Sequence, residues 1–215
     1  MSGGETARVR LYLITPPSFE PEAFAITLDE ALGGGDVACV QLRMTETDGD
    51  GLTRAARALI PVCHARDVAF LIAGRADIAA DTGADGVHLA KPRDVAGARR
   101  FLGADAICGV SAGGSRHNAM LAAEAGADYV SFGAFHASAT LPGAALIPPD
   151  ILTWWSETMT LPCVAIGGID ATNAAALAMS GAEFIAVCHG VWSDALGARS
   201  AVAKLNAEIE RAAAT

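Results

Sequence analysis

The amino-acid sequence predicts an α/β chain folded as a closed (β/α)8 (TIM) barrel, a single domain over residues 1–215. Three observations predict it. Eight short apolar runs rich in β-branched residues alternate with longer Ala-rich segments of helical character. A Gly-Ala-acid turn recurs at Gly83-Ala84-Asp85, Gly126-Ala127-Asp128 and Gly181-Ala182-Glu183, each time between a helical run and a strand run. Glycine there ends a helix in the left-handed conformation and leads into the next strand. Finally, 215 residues that are 52% hydrophobic suffice for one buried barrel core and are few for two domains. An open doubly wound sheet is the rival architecture, but it seldom uses eight evenly spaced units.

Each element follows in order. The strands are expected at Val9–Thr15, Val37–Leu42, Ala69–Ile72, Gly86–Leu89, Ile107–Ser111, Tyr129–Gly133, Cys163–Ile166 and Phe184–Val187. These runs are short, continuous and apolar, as parallel strands covered on both faces should be. Helices are expected at Pro21–Leu32, Leu52–Arg66, Ala76–Thr82, Val95–Phe101, His117–Ala125, Asp150–Thr158, Ala171–Met179 and Asp194–Ala213. The densest run of turn formers, Ala137–Pro149, follows the sixth strand, where an ordered barrel loop of that length reads as a functional flap.

Composition narrows the function. A net charge of −9 argues against nucleic acid or an anionic membrane surface as the main partner. It leaves room for a phosphorylated small molecule, because local backbone amides can overrule global charge. Charged residues are only 18% of the chain, too few for a disordered protein. The five cysteines show no CxxC spacing and lie mostly in apolar runs, as small buried hydrophobes do. The polar residues Met1–Arg10 lack the apolar core of a secretory signal, and no apolar run is long enough to span a bilayer, so a cytoplasmic location is expected. The pair Trp154-Trp155 reads as an amphipathic contact, in the core or in a homo-oligomer.

In this architecture ligands bind at the carboxyl ends of the strands. The most specific signal there is Ile166-Gly167-Gly168-Ile169-Asp170, after strand seven. Two glycines between a strand and a helix let N–H groups approach an anion, and His189-Gly190 after strand eight completes the usual phosphate cradle. Gln41 and Arg43 alternate on the second strand and so share the barrel interior, where a cation needs either an anionic ligand or an internal ion pair. His136, at the mouth of the long loop, is the leading acid–base candidate. His88 reads more simply as a satisfied core residue, and Ser111 as a hydrogen-bond donor to ligand.

These segments resemble the thiamine phosphate synthase and thiazole tautomerase family. The likeness is carried by Leu11-Tyr12-Leu13-Ile14-Thr15, Val40-Gln41-Leu42-Arg43, Ala84-Asp85-Gly86-Val87-His88-Leu89, Gly109-Val110-Ser111, Gly126-Ala127-Asp128-Tyr129-Val130 and Pro162-Cys163-Val164-Ala165-Ile166-Gly167-Gly168-Ile169. The resemblance implies a transferase that joins a hydroxymethylpyrimidine pyrophosphate to a thiazole phosphate, with Mg2+-assisted departure of pyrophosphate and attack by the thiazole nitrogen. It implies that Gln41 and Arg43 contact the pyrimidine pyrophosphate, that Ser111 lies near the reacting groups, that Ser138 and Thr140 belong to a phosphate-clamping loop, and that Gly167 and Gly168 hold the thiazole phosphate.

The departures from the family pattern are as specific. The Asn-Asp that ends the third strand is replaced by Ala73-Gly74, and Gly-Gln-acid-Asp after the fourth by Ala90-Lys91-Pro92-Arg93, with Asp94 displaced by one residue. Thr-Lys-Thr-Lys in the sixth loop reads Ser138-Ala139-Thr140-Leu141. No residue is therefore assigned as a metal ligand, and Lys91 and Arg93 become candidates for direct contact with pyrophosphate. Three readings stand: a synthase with an altered pyrophosphate site, a tautomerase-like isomerase using His136, and a non-catalytic or regulatory paralogue that binds a phosphorylated ligand.

Overall fold

A computed structural model describes residues 8–140 and 142–214. Eight parallel strands, β1 (Arg10–Ile14), β2 (Val37–Leu42), β3 (Ala69–Ala73), β4 (Gly86–Leu89), β5 (Ile107–Gly113), β6 (Tyr129–Phe132), β7 (Cys163–Ile166) and β8 (Phe184–Val187), pair in sequence order, and β8 pairs with β1 to close the barrel. Around it lie α1 (Pro21–Leu32), α2 (Gly49–His64), α3 (Ala76–Thr82), α4 (Val95–Leu102), α5 (Arg116–Glu124), α6 (Asp150–Thr158), α7 (Ala174–Met179), α8 (His189–Trp192) and α9 (Ala198–Ala213).

The period-two alternation of the strands sorts side chains into two cores. Leu11 and Leu13 of β1 point outward, into a large cluster with the helices. Tyr12 and Ile14 point inward, where they meet Cys39, Leu71, Tyr129, Val164 and Ala186. Trp155 is fully buried against Phe132 and donates from Nε1 to the Leu161 carbonyl at 2.7 Å, while Trp154 lies half-buried under the Arg116 guanidinium. Cys39, Cys63, Cys108 and Cys163 are buried thiols, and burial pushes that of Cys63 up to about 12.

The Gly-Ala-acid turns are more than helix stops. Gly83, Gly126 and Gly181 take positive φ values of 74°, 84° and 104°. The acid that follows each one then reaches back to the preceding strand. Asp85 accepts from Phe70 N–H at 2.7 Å, Asp128 from Cys108 N–H at 2.6 Å and Glu183 from Cys163 N–H at 2.9 Å. The N–H of each acid in turn donates to the carbonyl of that same residue. Each turn thus pins the start of an even strand to the odd strand before it, satisfying backbone groups that the ladder leaves open.

Several of the expected boundaries move, most by one or two residues. Helix α2 begins three residues early, at Gly49, because Asp48 caps it by accepting from Gly51 N–H. Strand β5 runs on to Gly113. Helix α7 begins at Ala174 and not Ala171, because Asp170–Asn173 fold into a hydrogen-bonded turn. The last expected helix divides into α8 and α9, parted by a turn around Asp194 and Gly197. No helix among the described residues is long and apolar enough to cross a membrane.

Candidate functional site

Two adjoining clefts open at the carboxyl ends of the strands. The smaller, of about 210 Å3, lies over β7, β8 and the loop after β6, and is lined by Ser138, Thr140, Gly167, Gly168, Cys188, His189 and Gly190 among others. The larger, of about 760 Å3, covers the ends of β2 to β6, with Gln41, His88, Ser111, Ala73, Gly74 and Ala90 in its wall. Arg43, Ile166 and Gly167 belong to both.

The smaller cleft is framed by two glycines and by backbone amides. Gly167 and Gly168 hold φ values of 103° and 64°, and a Cβ on Gly168 would stand 2.4 Å from the Ala137 carbonyl oxygen. Only glycine meets both demands without strain. The loop is braced by Asn173, whose Oδ1 accepts from Asp170 N–H at 3.0 Å while its Nδ2 donates to the Gly168 carbonyl at 3.0 Å. Within the loop Phe135 N–H and His136 N–H donate to the carbonyls of Ile166 and Gly167. Among the described residues, the N–H groups of Gly168 and Ile169 have no such partner. His189 and Gly190 open α8, and among the described residues their N–H groups find no backbone acceptor, whereas those of Val191 and Trp192 bond the Cys188 carbonyl. The cradle therefore offers free amides and little negative charge, the arrangement that binds a phosphate.

Arg43 lies where the two clefts meet. Its backbone N–H donates to Thr15 Oγ1 at 3.0 Å, which fixes the end of β2. Its Nε is buried with no hydrogen-bond partner, and no carboxylate among the described residues pairs with its guanidinium. Of the two environments its position allowed, an internal ion pair is absent among those residues and an open cleft is present.

The floor of the larger cleft carries a buried hydrogen-bonded chain. Tyr12 donates to Gln41 Oε1 at 2.8 Å, the Tyr12 and Tyr129 hydroxyls are 2.9 Å apart, and Tyr129 is 2.9 Å from His88 Nδ1. Gly109 makes room for it: a Cβ there would lie 1.9 Å from Tyr129 Cζ. Burial, aided by the nearby Arg43 charge, lowers His88 to about 4, so its imidazole is neutral at pH 7. Burial also pushes both tyrosines well above the usual phenol range. The sequence marked Gln41 and His88 separately; the tyrosines joining them read only as core residues. Ser131, buried beside them on β6, keeps an unpartnered hydroxyl and carried no sequence signal.

The flap expected at Ala137–Pro149 closes over both clefts, with Ser138 and Thr140 in the wall of the smaller and Ala144, Ala145 and Ile147 in that of the larger. Ser138 Oγ and Thr140 Oγ1 are 3.2 Å apart; Leu141 lies outside the described residues. His136 contributes backbone to this region, but its side chain lines neither cleft. Lys91 and Arg93 are exposed at the turn Pro92–Asp94, outside both linings, with Arg93 4.0 Å from Asp94. Arg75, after β3, is held by Asp77 at 2.7 Å.

The donor set does not fit a magnesium ion. Mg2+ is ordinarily held through one or two carboxylates together with substrate phosphates. Among the described residues the only carboxylate lining either cleft is Asp170, in the smaller one, and its Oδ1 already accepts from Thr172 N–H and Oγ1 at 2.8 and 2.6 Å. No cluster of three or more His, Cys, Asp or Glu residues suited to a metal occurs among the described residues.

Comparison with known proteins gives the family and supports the fold. The family model described as thiamine monophosphate synthase matches residues 11–191. A thiamine-phosphate synthase of Rhodospirillum centenum is 52% identical over 198 residues, 92% of this chain and 96% of that one. One from Hyphomonas neptunium is 44% identical over 209 residues, 94% and 95% of the two chains. The solved structure of a thiamine phosphate pyrophosphorylase from Pyrococcus furiosus superposes with a TM-score of 0.83 at 29% identity, covering 96% of this chain and 98% of that one. The match begins in β1 and ends in α8, so it takes in every strand and both the Gly167-Gly168 and His189-Gly190 segments: the chain belongs to the thiamine monophosphate synthase family.

Proposed function

We propose that this chain is a transferase that joins a hydroxymethylpyrimidine diphosphate to a thiazole phosphate, giving thiamine phosphate and pyrophosphate. The observation that carries the reading is the pair of clefts meeting at Arg43, one ending on the free amides of Gly168 and Ile169 and the other wide enough for a second substrate. The thiazole phosphate occupies the smaller cleft, its phosphate on the Gly167-Gly168 and His189-Gly190 amides and on the Ser138 and Thr140 hydroxyls. The pyrimidine diphosphate occupies the larger, over Gln41 and Ser111.

The chemistry follows from that placement. The bond between the pyrimidine methylene carbon and the diphosphate oxygen breaks, and its electron pair leaves with pyrophosphate. The thiazole nitrogen lone pair then forms the new C–N bond to the methylene cation. Arg43 stabilises charge as it grows on the departing oxygen, the kind of preorganised electrostatic aid that lowers a barrier most. His88, neutral at pH 7, adds no competing positive charge below the forming cation. We further propose that the reaction runs in the cytoplasm and that the protein forms a homo-oligomer.

The lack of a carboxylate pair for magnesium favours a second reading, a paralogue that binds thiamine precursors or product without turnover. One assay separates the two. Incubating the protein with both substrates and following thiamine phosphate by fluorescence after oxidation should show product. Absence of product, with and without Mg2+, while the thiazole phosphate still binds, would leave the binding reading in its place.

A further inference from the structure

We propose that this chain holds a diphosphate through the Arg43 guanidinium and neutral donors, without a protein-bound divalent cation. The inference rests on the reading that the larger cleft takes a diphosphate substrate.

Three observations support it. Where β3 and β4 end, the cleft wall is formed by Ala73, Gly74, Ala90 and the neutral His88, which offer methyl groups, backbone and an imidazole but no carboxylate. Among the described residues the single acid in either lining, Asp170, belongs to the smaller cleft and not the larger, and its Oδ1 caps its own turn. Arg43 is half-buried where the two clefts meet, and its buried Nε makes no hydrogen bond, which leaves a costly unsatisfied donor. A guanidinium in that state is completed by an anion, and its planar donors match phosphate oxygens directly.

The sign of the metal effect follows. In a site with carboxylates a divalent cation bridges protein and diphosphate, so it tightens binding. Here no carboxylate among the described residues lines the larger cleft to share the ion. A cation bound to the diphosphate cancels two of its negative charges and weakens its attraction to Arg43. Magnesium should therefore loosen diphosphate binding, the reverse of what bridging would do.

The test is calorimetry on the full chain with inorganic pyrophosphate in EDTA, with preformed magnesium pyrophosphate, and with Mg2+ alone. The expected result is binding in EDTA, weaker binding of the magnesium complex by several-fold, and no heat with Mg2+ alone. Arg43→Gln should lose about tenfold or more of the affinity measured in EDTA. Binding that requires Mg2+, or tightens with it, would overturn the inference, as would no binding in EDTA. A loss that followed the double change Lys91→Ala, Arg93→Ala and spared Arg43→Gln would overturn the assignment to Arg43. The metal comparison uses the unaltered protein, so it stands even where a variant fails to fold. Turnover measured in the same buffers keeps the two readings apart. Product formed only with Mg2+ sinks this inference and leaves the proposed function, whereas pyrophosphate binding in EDTA without turnover does the opposite.

Discussion

The hydroxyl oxygens of Tyr12 and Tyr129 lie 2.9 Å apart inside the barrel, and that contact gives the whole polar floor a direction. Tyr12 spends its proton on Gln41 Oε1, so it accepts from Tyr129. Tyr129 then accepts from His88 Nδ1–H. The chain leaves two groups for the cleft: the Gln41 amino group as donor and the bare His88 Nε2 as acceptor. Removing the Tyr129 hydroxyl should release this order. In Tyr129→Phe, 15N chemical shifts of His88 should move from a single Nδ1–H tautomer to a mixture, with about 1–3 kcal/mol lost from stability. An unchanged tautomer would show that the chain does not set it.

His88 also makes stability depend on pH. Its pKa falls from an ordinary 6.5 to about 4 in the folded protein, so the unfolded chain binds the proton more readily. The contribution is complete above pH 6.5 and is lost as the pH falls toward 4, by about 3 kcal/mol in all. Urea unfolding at stepped pH should show that slope, and His88→Gln should flatten it. Equal slopes in the two proteins would assign the acid sensitivity elsewhere.

The cradle makes a sharper prediction. Gly168→Ala places a Cβ 2.4 Å from the Ala137 carbonyl oxygen on a residue at φ 64°. Stability should fall by about 1–2 kcal/mol, while affinity for the thiazole phosphate should drop well over tenfold. Asn173→Ala, which only loosens the same loop, should raise the KM for that substrate several-fold and leave kcat near its original value. A fall confined to kcat would mean that Asn173 acts on the chemistry and not on the loop.

The Gly-Ala-acid turns can be tested for the strand pinning seen here. Asp128 serves Cys108 N–H at 2.6 Å and Arg99 at 2.8 Å, so Asp128→Ala should lower stability by about 2 kcal/mol. Thermal or urea unfolding decides it. A change within experimental error would reduce these acids to surface residues.

The barrel was legible in the sequence because eight apolar runs alternating with helical segments and a recurring turn all pointed one way, and Pro21–Leu32, Val37–Leu42 and Phe184–Val187 fall where their patterns place them. Consistency across levels is what makes a fold readable. The pinning role of Asp85, Asp128 and Glu183 was hidden, since a one-dimensional pattern shows that an acid follows glycine but not where its carboxylate reaches. In the same way Gly167-Gly168 announced the cradle, whereas Asn173, its brace, looked like any polar residue at a helix start. Tyr12 and Tyr129 are 117 residues apart, and only barrel closure reveals that they touch. Lys91 was the converse case. Its charge and its place after β4 suggested a role, yet side-chain direction is set by the turn Pro92–Asp94, and the residue stays outside both clefts.

The account turns on what occupies the smaller cleft. A crystal structure of the protein soaked with thiazole phosphate measures this most directly. The phosphate should lie within hydrogen-bond reach of the Gly168 and Ile169 amides, with the thiazole nitrogen turned toward the larger cleft beside Arg43. A phosphate bound elsewhere, or a ring directed away from Arg43, would contradict the two-cleft arrangement on which the proposed reaction depends.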